Sequence, residues 1–339
     1  MRYSLSLKKE IGFTLIELMI AITLGLLLTA GMIGLFVNSK QTYRVQENLS
    51  RMQENARFAM EFLIRDIRMA DYSGCLRESL SNATNHLDTA GTNYDVNIHL
   101  FDNNIAGTNG TAGANLALDS PDSITIRTAV DSGLSIESPF GPQASANIKV
   151  AAGNTLSQGD VVLISDCTQA DIFQISNANP SSGTIVHNTG NSTEPGNTNA
   201  GIATCPGGSA HCLSKVYQDD ASILRLSSMT YTIQNGIGGM RALFRNGDEL
   251  IEGIENMQIR YGEDANADNT ADYFVSAATG GLDMNQVVSI RVSLLVRSLD
   301  DNLTTQAQPY TYNTATVTPS DRRFRQVFTS TIAVRNRLP

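Results

Sequence analysis

From Leu18 to Val37 the chain runs for twenty residues without a formal charge, most of them Leu, Ile, Met, Ala, Gly and Phe. As a helix, twenty such residues span about 30 Å, the thickness of a bilayer core. This run constrains the fold more than any other feature, because it commits the N-terminal part to a helix that lies in lipid or against other apolar helices. Arg2, Lys8 and Lys9 precede it and no charge follows until Lys40. That asymmetry keeps the basic side in the cytoplasm and sends the rest of the chain across the membrane.

The run is entered through Lys8-Lys9-Glu10-Ile11-Gly12-Phe13-Thr14-Leu15-Ile16-Glu17. A secretory signal is cut after its apolar region, whereas the natural cut here lies before it, after Gly12, and leaves the helix on the mature chain. Glu17 is a carboxylate at the edge of the apolar span, where insertion costs on the order of 3 kcal/mol, so it calls for a cationic partner. The string resembles the class III leader of type IV pilins and type II secretion pseudopilins, with Gly12 at the cleavage site, Phe13 as first mature residue and Glu17 as the fifth. The resemblance implies processing by a prepilin peptidase, methylation, and pairing of the freed Phe13 amine, or that of a neighbouring subunit, with Glu17 during assembly. A plain signal anchor with Glu17 among the headgroups is the alternative; it does not account for the Gly-Phe-Thr-Leu-Ile-Glu string.

Beyond the apolar run, Val45, Leu49, Met52, Ala56, Ala59, Leu63, Ile67 and Ala70 recur at helical spacing and form one stripe. Glu47 with Arg51 and Glu61 with Arg65 are favourable i,i+4 pairs on the opposite face. No Pro occurs between Phe13 and Asp71. The spacing predicts one helix from Phe13 to about Tyr72, with Gly74 as its stop; a hinge at Gly25, Gly31 or Gly34 would make it two.

The remainder is β-rich. Residues 123–130, 160–166, 171–176, 229–234, 255–261, 287–298 and 325–335 read as strands from their β-branched and aromatic content, and Asn246-Gly247 reads as a hairpin turn. Residues 102–114 and 177–208 are polar and rich in Gly and Asn, and read as surface loops. No internal repeat is present. The fold class expected is α+β: a long N-terminal pilin helix whose first half, about 15–37, is transmembrane, followed by a large antiparallel β-rich globular domain. The corresponding divisions are a leader at 1–12, the helix at 13–74, and a periplasmic or extracellular domain at 75–339.

The resemblance extends past the leader. Gln53-Glu54-Asn55-Ala56-Arg57-Phe58-Ala59, Arg65-Asp66-Ile67-Arg68-Met69-Ala70, Ser73-Gly74-Cys75, Ser165-Asp166-Cys167, the run Glu252–Gly262 and the run Arg325–Leu338 together look like a PilW-type minor pilin, and more loosely like the J-type pseudopilin of type II secretion. Residues 76–164 carry little of it.

Four Cys in a translocated domain fit two disulfides, with three possible connectivities. The short loop between Cys205 and Cys212 favours a local bond, which leaves Cys75 to pair with Cys167. A zinc site at Cys205, His211 and Cys212 lacks a fourth ligand. The net charge of −9 and pI near 4.9 oppose nonspecific nucleic-acid binding. The one basic cluster, Arg322-Arg323-Phe324-Arg325, reads as a solvated strand face, with DNA contact as the lesser option.

Asp264, Asn266, Asp268 and Asp272 place oxygens at alternate positions and form a calcium-loop candidate. It departs from the EF-hand pattern, with Asn269 at the usual Gly position and Val275 at the usual Glu. No cofactor is otherwise called for. The four His are scattered, and no metalloprotease, nucleophile-elbow or phosphate-loop pattern occurs; Gly207-Gly208-Ser209-Ala210-His211 comes nearest and fails at its last position.

These readings predict a non-enzymatic subunit of a pilus tip or initiation complex, held in the inner membrane and then displayed at the cell surface. Its expected partners are other minor pilins, the major pilin and the prepilin peptidase. A type II pseudopilin and a tip adhesin using the β-domain loops are the alternatives.

Overall fold

A computed structural model of the chain describes residues 14–76, 83–101, 104–111, 120–141, 143, 145–189, 194–198 and 212–338. One unbroken helix of 55 residues runs from Leu15 to Met69, a rod of about 80 Å at 1.5 Å per residue. There is no hinge at Gly25, Gly31 or Gly34. The helix ends at Met69 rather than near Tyr72: the backbone turns extended at Ala70, with ψ 140°, and Asp71 and Gly74 both follow at positive φ, 64° and 71°.

The rod has two unlike halves. From Leu15 to Val37 its apolar side chains are exposed on all sides, Leu35 at 72% and Phe36 at 71%. Past Lys40 only one stripe is apolar, and Met52, Ala56, Ala59, Leu63 and Ile67 on that stripe are buried. Each large side chain so buried stabilises the docked helix by about 1.5–3 kcal/mol.

What receives the stripe is a pair of antiparallel sheets. In the larger, eight-stranded sheet the long strand Ser222–Asn235 lies between Ser123–Ser135 on one side and Val161–Ser165 and Arg241–Arg245 on the other. The second sheet has four strands in the order Tyr273–Val275, Ile254–Glu263, Val287–Arg297, Arg325–Ala333. Ile124, Ile126, Tyr231 and Leu243 from the first sheet and Met257, Ile259, Ile290, Val292 and Leu294 from the second share one core with the helix stripe. A separate core around Val162, Ile164, Phe173 and Ile223 supports a three-stranded sheet that includes Asn177–Asn179 and Thr184–Val186.

Each strand predicted from composition is present, and the Asn246-Gly247 hairpin closes with both residues at positive φ, as a two-residue primed turn requires. Two segments predicted as loops hold strands. Ile105–Thr108 pairs with Ser123–Ser135, and residues 177–179 pair with 184–186. Both are too short to show periodicity. Gly107 occurs in the first because a Cβ there would sit 2.0 Å from the Tyr261 hydroxyl oxygen, a close approach that only glycine permits.

The division of the rod predicts that Leu63→Ala lowers unfolding free energy by about 2–5 kcal/mol, while Leu27→Ala, in the exposed half, leaves it unchanged. Denaturant unfolding of the detergent-solubilised chain checks both.

Candidate functional site

The helix begins at a capping box. Thr14 Oγ1 accepts from the Glu17 amide at 3.4 Å, and Glu17 Oε2 accepts from the Thr14 amide and hydroxyl, both at 2.9 Å. Thr-x-x-Glu is a helix-start signature in its own right, so Glu17 has a local role that its reading as an intramembrane acid overlooks. Both bonds fall on Oε2. Gly12 and Phe13, the expected processing residues, lie outside the described residues.

Further along, polar side chains fasten one edge of the rod to the β-domain at heptad spacing. Gln41 donates to the Leu303 carbonyl at 3.2 Å, and Asn55 donates to the Glu252 carbonyl at 3.1 Å. Between them Asn48 exchanges two bonds with Asp300, donating to its carboxylate and accepting from its amide. Asp66, nearly buried, accepts from Tyr231 at 2.6 Å and pairs with Arg245 at 2.9 Å. Burial, followed by the hydrogen bond to Asp66, pushes the Tyr231 phenol well above its usual range.

The C-terminal end of the rod is held by a clasp from residues 336 and 337. Asn336 Nδ2 donates to the carbonyl of Ala70 at 3.0 Å, one of the acceptors a helix end leaves open. Arg337 Nε donates to Asp71 at 2.8 Å, and both side chains are buried. Asn104 also donates to Asp71, at 2.6 Å. Just beyond, Cys75 is bonded to Cys167 with a Cα separation of 4.9 Å, which ties the helix end to the turn before strand Ala170–Gln174. The bond spans 92 residues and on chain-entropy grounds stabilises by about 4–5 kcal/mol. Cys212 is disulfide-bonded too; Cys205 and His211 lie outside the described residues.

The calcium-loop residues face their own backbone. Asp264 accepts from the amides of Asp268 and Asn269 at 3.1 and 2.7 Å, and Asp272 accepts from the Ala265 amide at 2.9 Å and from Asn266 at 3.1 Å. Asn266 and Asp268 each accept an amide two residues on. Asn269 supplies the positive φ, at 68°, that Gly gives in an EF-hand. Among the described residues no group of three or more His, Cys, Asp or Glu is placed to hold a metal.

Nor is the basic cluster a free cationic patch. Arg325 is almost buried and bonds Glu255 and Asp321, each at 2.6 Å; Arg323 donates to the carbonyls of Ser298 and Leu299, and Arg322 to Asn302. The arrangement nearest to a catalytic constellation is the buried Asp171, which lies 2.6 Å from His86 Nε2 and accepts from the hydroxyls of Ser214 and Tyr217, both at 2.5 Å. Here the serine hydroxyl is bonded to the carboxylate rather than to the imidazole. The cluster joins three segments of the β-domain.

A rod with one half bare and apolar and the other built into a β-domain is the architecture that the resemblance to pilins implies. Residues 7–33 match the prokaryotic N-terminal methylation motif, and residues 218–336 match the Type IV Pilus-assembly protein W family. The chain is thus similar to type IV pilus-associated proteins of the PilW type over residues 218–336 and to methylated prepilins at its start. The second match covers Tyr231, Arg245, Glu252, Asp300 and Asn336, five of the residues that fasten the helix, and stops one residue short of Arg337. No curated protein matches the chain.

Two outcomes follow. The hydrogen bonds from Arg325 hold the Asp321 carboxyl below its ordinary range. Its stabilising contribution is therefore complete above about pH 4, the unfolded value, and is lost as pH falls through the lower folded value. Asp321→Asn flattens that acid limb in unfolding measured against pH. Because backbone amides already satisfy the Asp264 loop, a chelator leaves the melting temperature unchanged; a drop reversed by added Ca²⁺ would show that the carboxylates turn to a cation.

Proposed function

We propose that the chain is a minor pilin that is cut after Gly12, waits in the inner membrane on residues 15–37 with its β-domain in the periplasm, and is then drawn into the fibre. There it acts as a structural subunit of the tip complex, priming assembly of the major pilin together with other minor pilins. The observation that carries this reading is the abrupt change at Lys40 on one continuous helix. The bare half has no use in a folded soluble protein and fits a bundle of like helices, in lipid first and in a fibre core afterwards.

On this reading Glu17 works twice. Its Oε2 starts the helix, and Oε1 meets the amine of Phe13 or of a neighbouring subunit. A pair of that kind offsets the cost of a carboxylate at the membrane boundary only when the helices are in register, which makes it a register device.

Glu17→Ala should leave processing intact, seen as the mobility shift of the cut form, while the protein disappears from sheared fibres. Replacing Gly12 should abolish the shift. Normal incorporation of Glu17→Ala disproves the pairing role. In a deletion strain, loss of fibres and twitching supports the pilus assignment, whereas intact fibres with lost exoprotein secretion moves the chain to the type II pseudopilins.

A further inference from the structure

The four-stranded sheet ends on Arg325–Ala333, and among the described residues nothing pairs with the outer side of that strand. The Ser298 amide donates to the Phe324 carbonyl and the Val334 amide to the Val288 carbonyl. The even-numbered positions between them therefore bond inward to Val287–Arg297, in a register without a shift. Arg325, Val327, Thr329, Thr331 and Ala333 direct their amides and carbonyls outward.

Exposed edges are normally blunted by shortness, charge, proline or bulges. The other edges here follow that rule. Tyr273–Val275 has three residues and Thr84–Asn85 has two, while Asp248–Glu252 carries three carboxylates and pairs across a bulge. Gln326–Ala333 has no Lys, Pro, Asp or Glu and no bulge. Beside it, between strand and helix, runs an open groove of about 410 Å³ lined by Ala56, Met60, Ile64 and Phe328.

A row of outward backbone donors and acceptors next to an apolar groove recognises one kind of ligand, an extended peptide with apolar side chains at alternate positions. The direction of the strand argues against a second copy as the donor. Phe324 lies by Ser298, two residues from the Asp300 that holds Asn48; Phe328 lies by Met60; Asn336 lies on Ala70. The strand thus runs in the same sense as the helix. Antiparallel pairing with a second copy through this edge would point the two helices in opposite directions, which one membrane or one fibre does not allow.

We propose that the outer edge of Arg325–Ala333 and the groove beside it receive an extended strand from a neighbouring, non-identical pilin-class chain. This rests on the reading above that the helices of assembled subunits share one direction.

The test is a thiol cross-link on the full chain in its native cells. Thr331→Cys, exposed on the edge, is labelled with a maleimide-benzophenone, which on irradiation inserts into any C–H bond nearby, and the adduct is sequenced from membrane and sheared-fibre fractions. The expected product joins Cys at 331 to a β-strand of another chain that bears the N-terminal methylation motif. Adding Thr329→Pro, which removes an outward amide without touching the inner ladder, should cut the yield by about tenfold, the scale of one to two lost hydrogen bonds. Where Thr329→Pro lowers the melting temperature, Thr329→Lys takes its place.

An adduct of two copies of this chain, no adduct in either fraction, or an adduct insensitive to both substitutions would overturn the proposal. Whether the unmodified chain reaches sheared fibres is scored separately by immunoblot. Its absence there refutes the assembly reading, while the membrane-fraction adduct still decides the edge.

Discussion

The docking of the Met52–Ile67 stripe into the cleft between two sheets is the interaction on which the rest of the architecture depends. Without the β-domain the second half of the rod is an ordinary amphipathic helix; without the helix the core that the two sheets share lies open on one side. Polar contacts make this docking specific. Apolar burial alone would tolerate a helix slid by one turn, but Gln41, Asn48 and Asn55 each meet one particular backbone or carboxylate partner. Asp66 and Asp71 add buried charges that have partners only in the observed register. Removing one member of such a pair strands the other in a low-dielectric site, so a shifted helix is disfavoured more strongly than its lost apolar area would suggest.

Much of this was legible in the residues. Periodicity finds the stripe because an α-helix repeats every 3.6 residues, and the strands are visible from their β-branched and aromatic residues. The Cys75 to Cys167 bond follows from pairing Cys212 with its near neighbour in sequence. The helix stops a few residues before the Gly74 that marks its end in sequence, where Asp71 is held at positive φ with its carboxylate on Arg337, 266 positions away. No local rule reaches so far. The strand Ile105–Thr108 is invisible locally for the same reason, since its place is decided by its ladder with Ser123–Ser135 and by the Tyr261 that packs on Gly107, not by its own four residues.

The candidate sites divide along similar lines. The prepilin string and Glu17 are local signals and were visible, although the capping box hidden in the same string was not read. The acidic loop and the arginine cluster are composition signals, and composition does not say where a side chain points. The carboxylates of the loop turn onto amides, and the guanidinium groups turn onto carboxylates and carbonyls. In both cases intramolecular partners within a few ångströms satisfy the groups that made the sequence suggestive.

The clasp at Asn336 and Arg337 also sets an order of events. The Met52–Ile67 stripe is made early, but of the core residues that cover it only Ile105, Ile124 and Ile126 precede residue 218. The stripe is therefore only partly covered until the strands from Ser222 onward arrive, and its far end is fastened only by Asn336 and Arg337. Docking of the first helix thus waits for residues more than 260 positions away, so that the rod and the β-domain reach their final form in a single step.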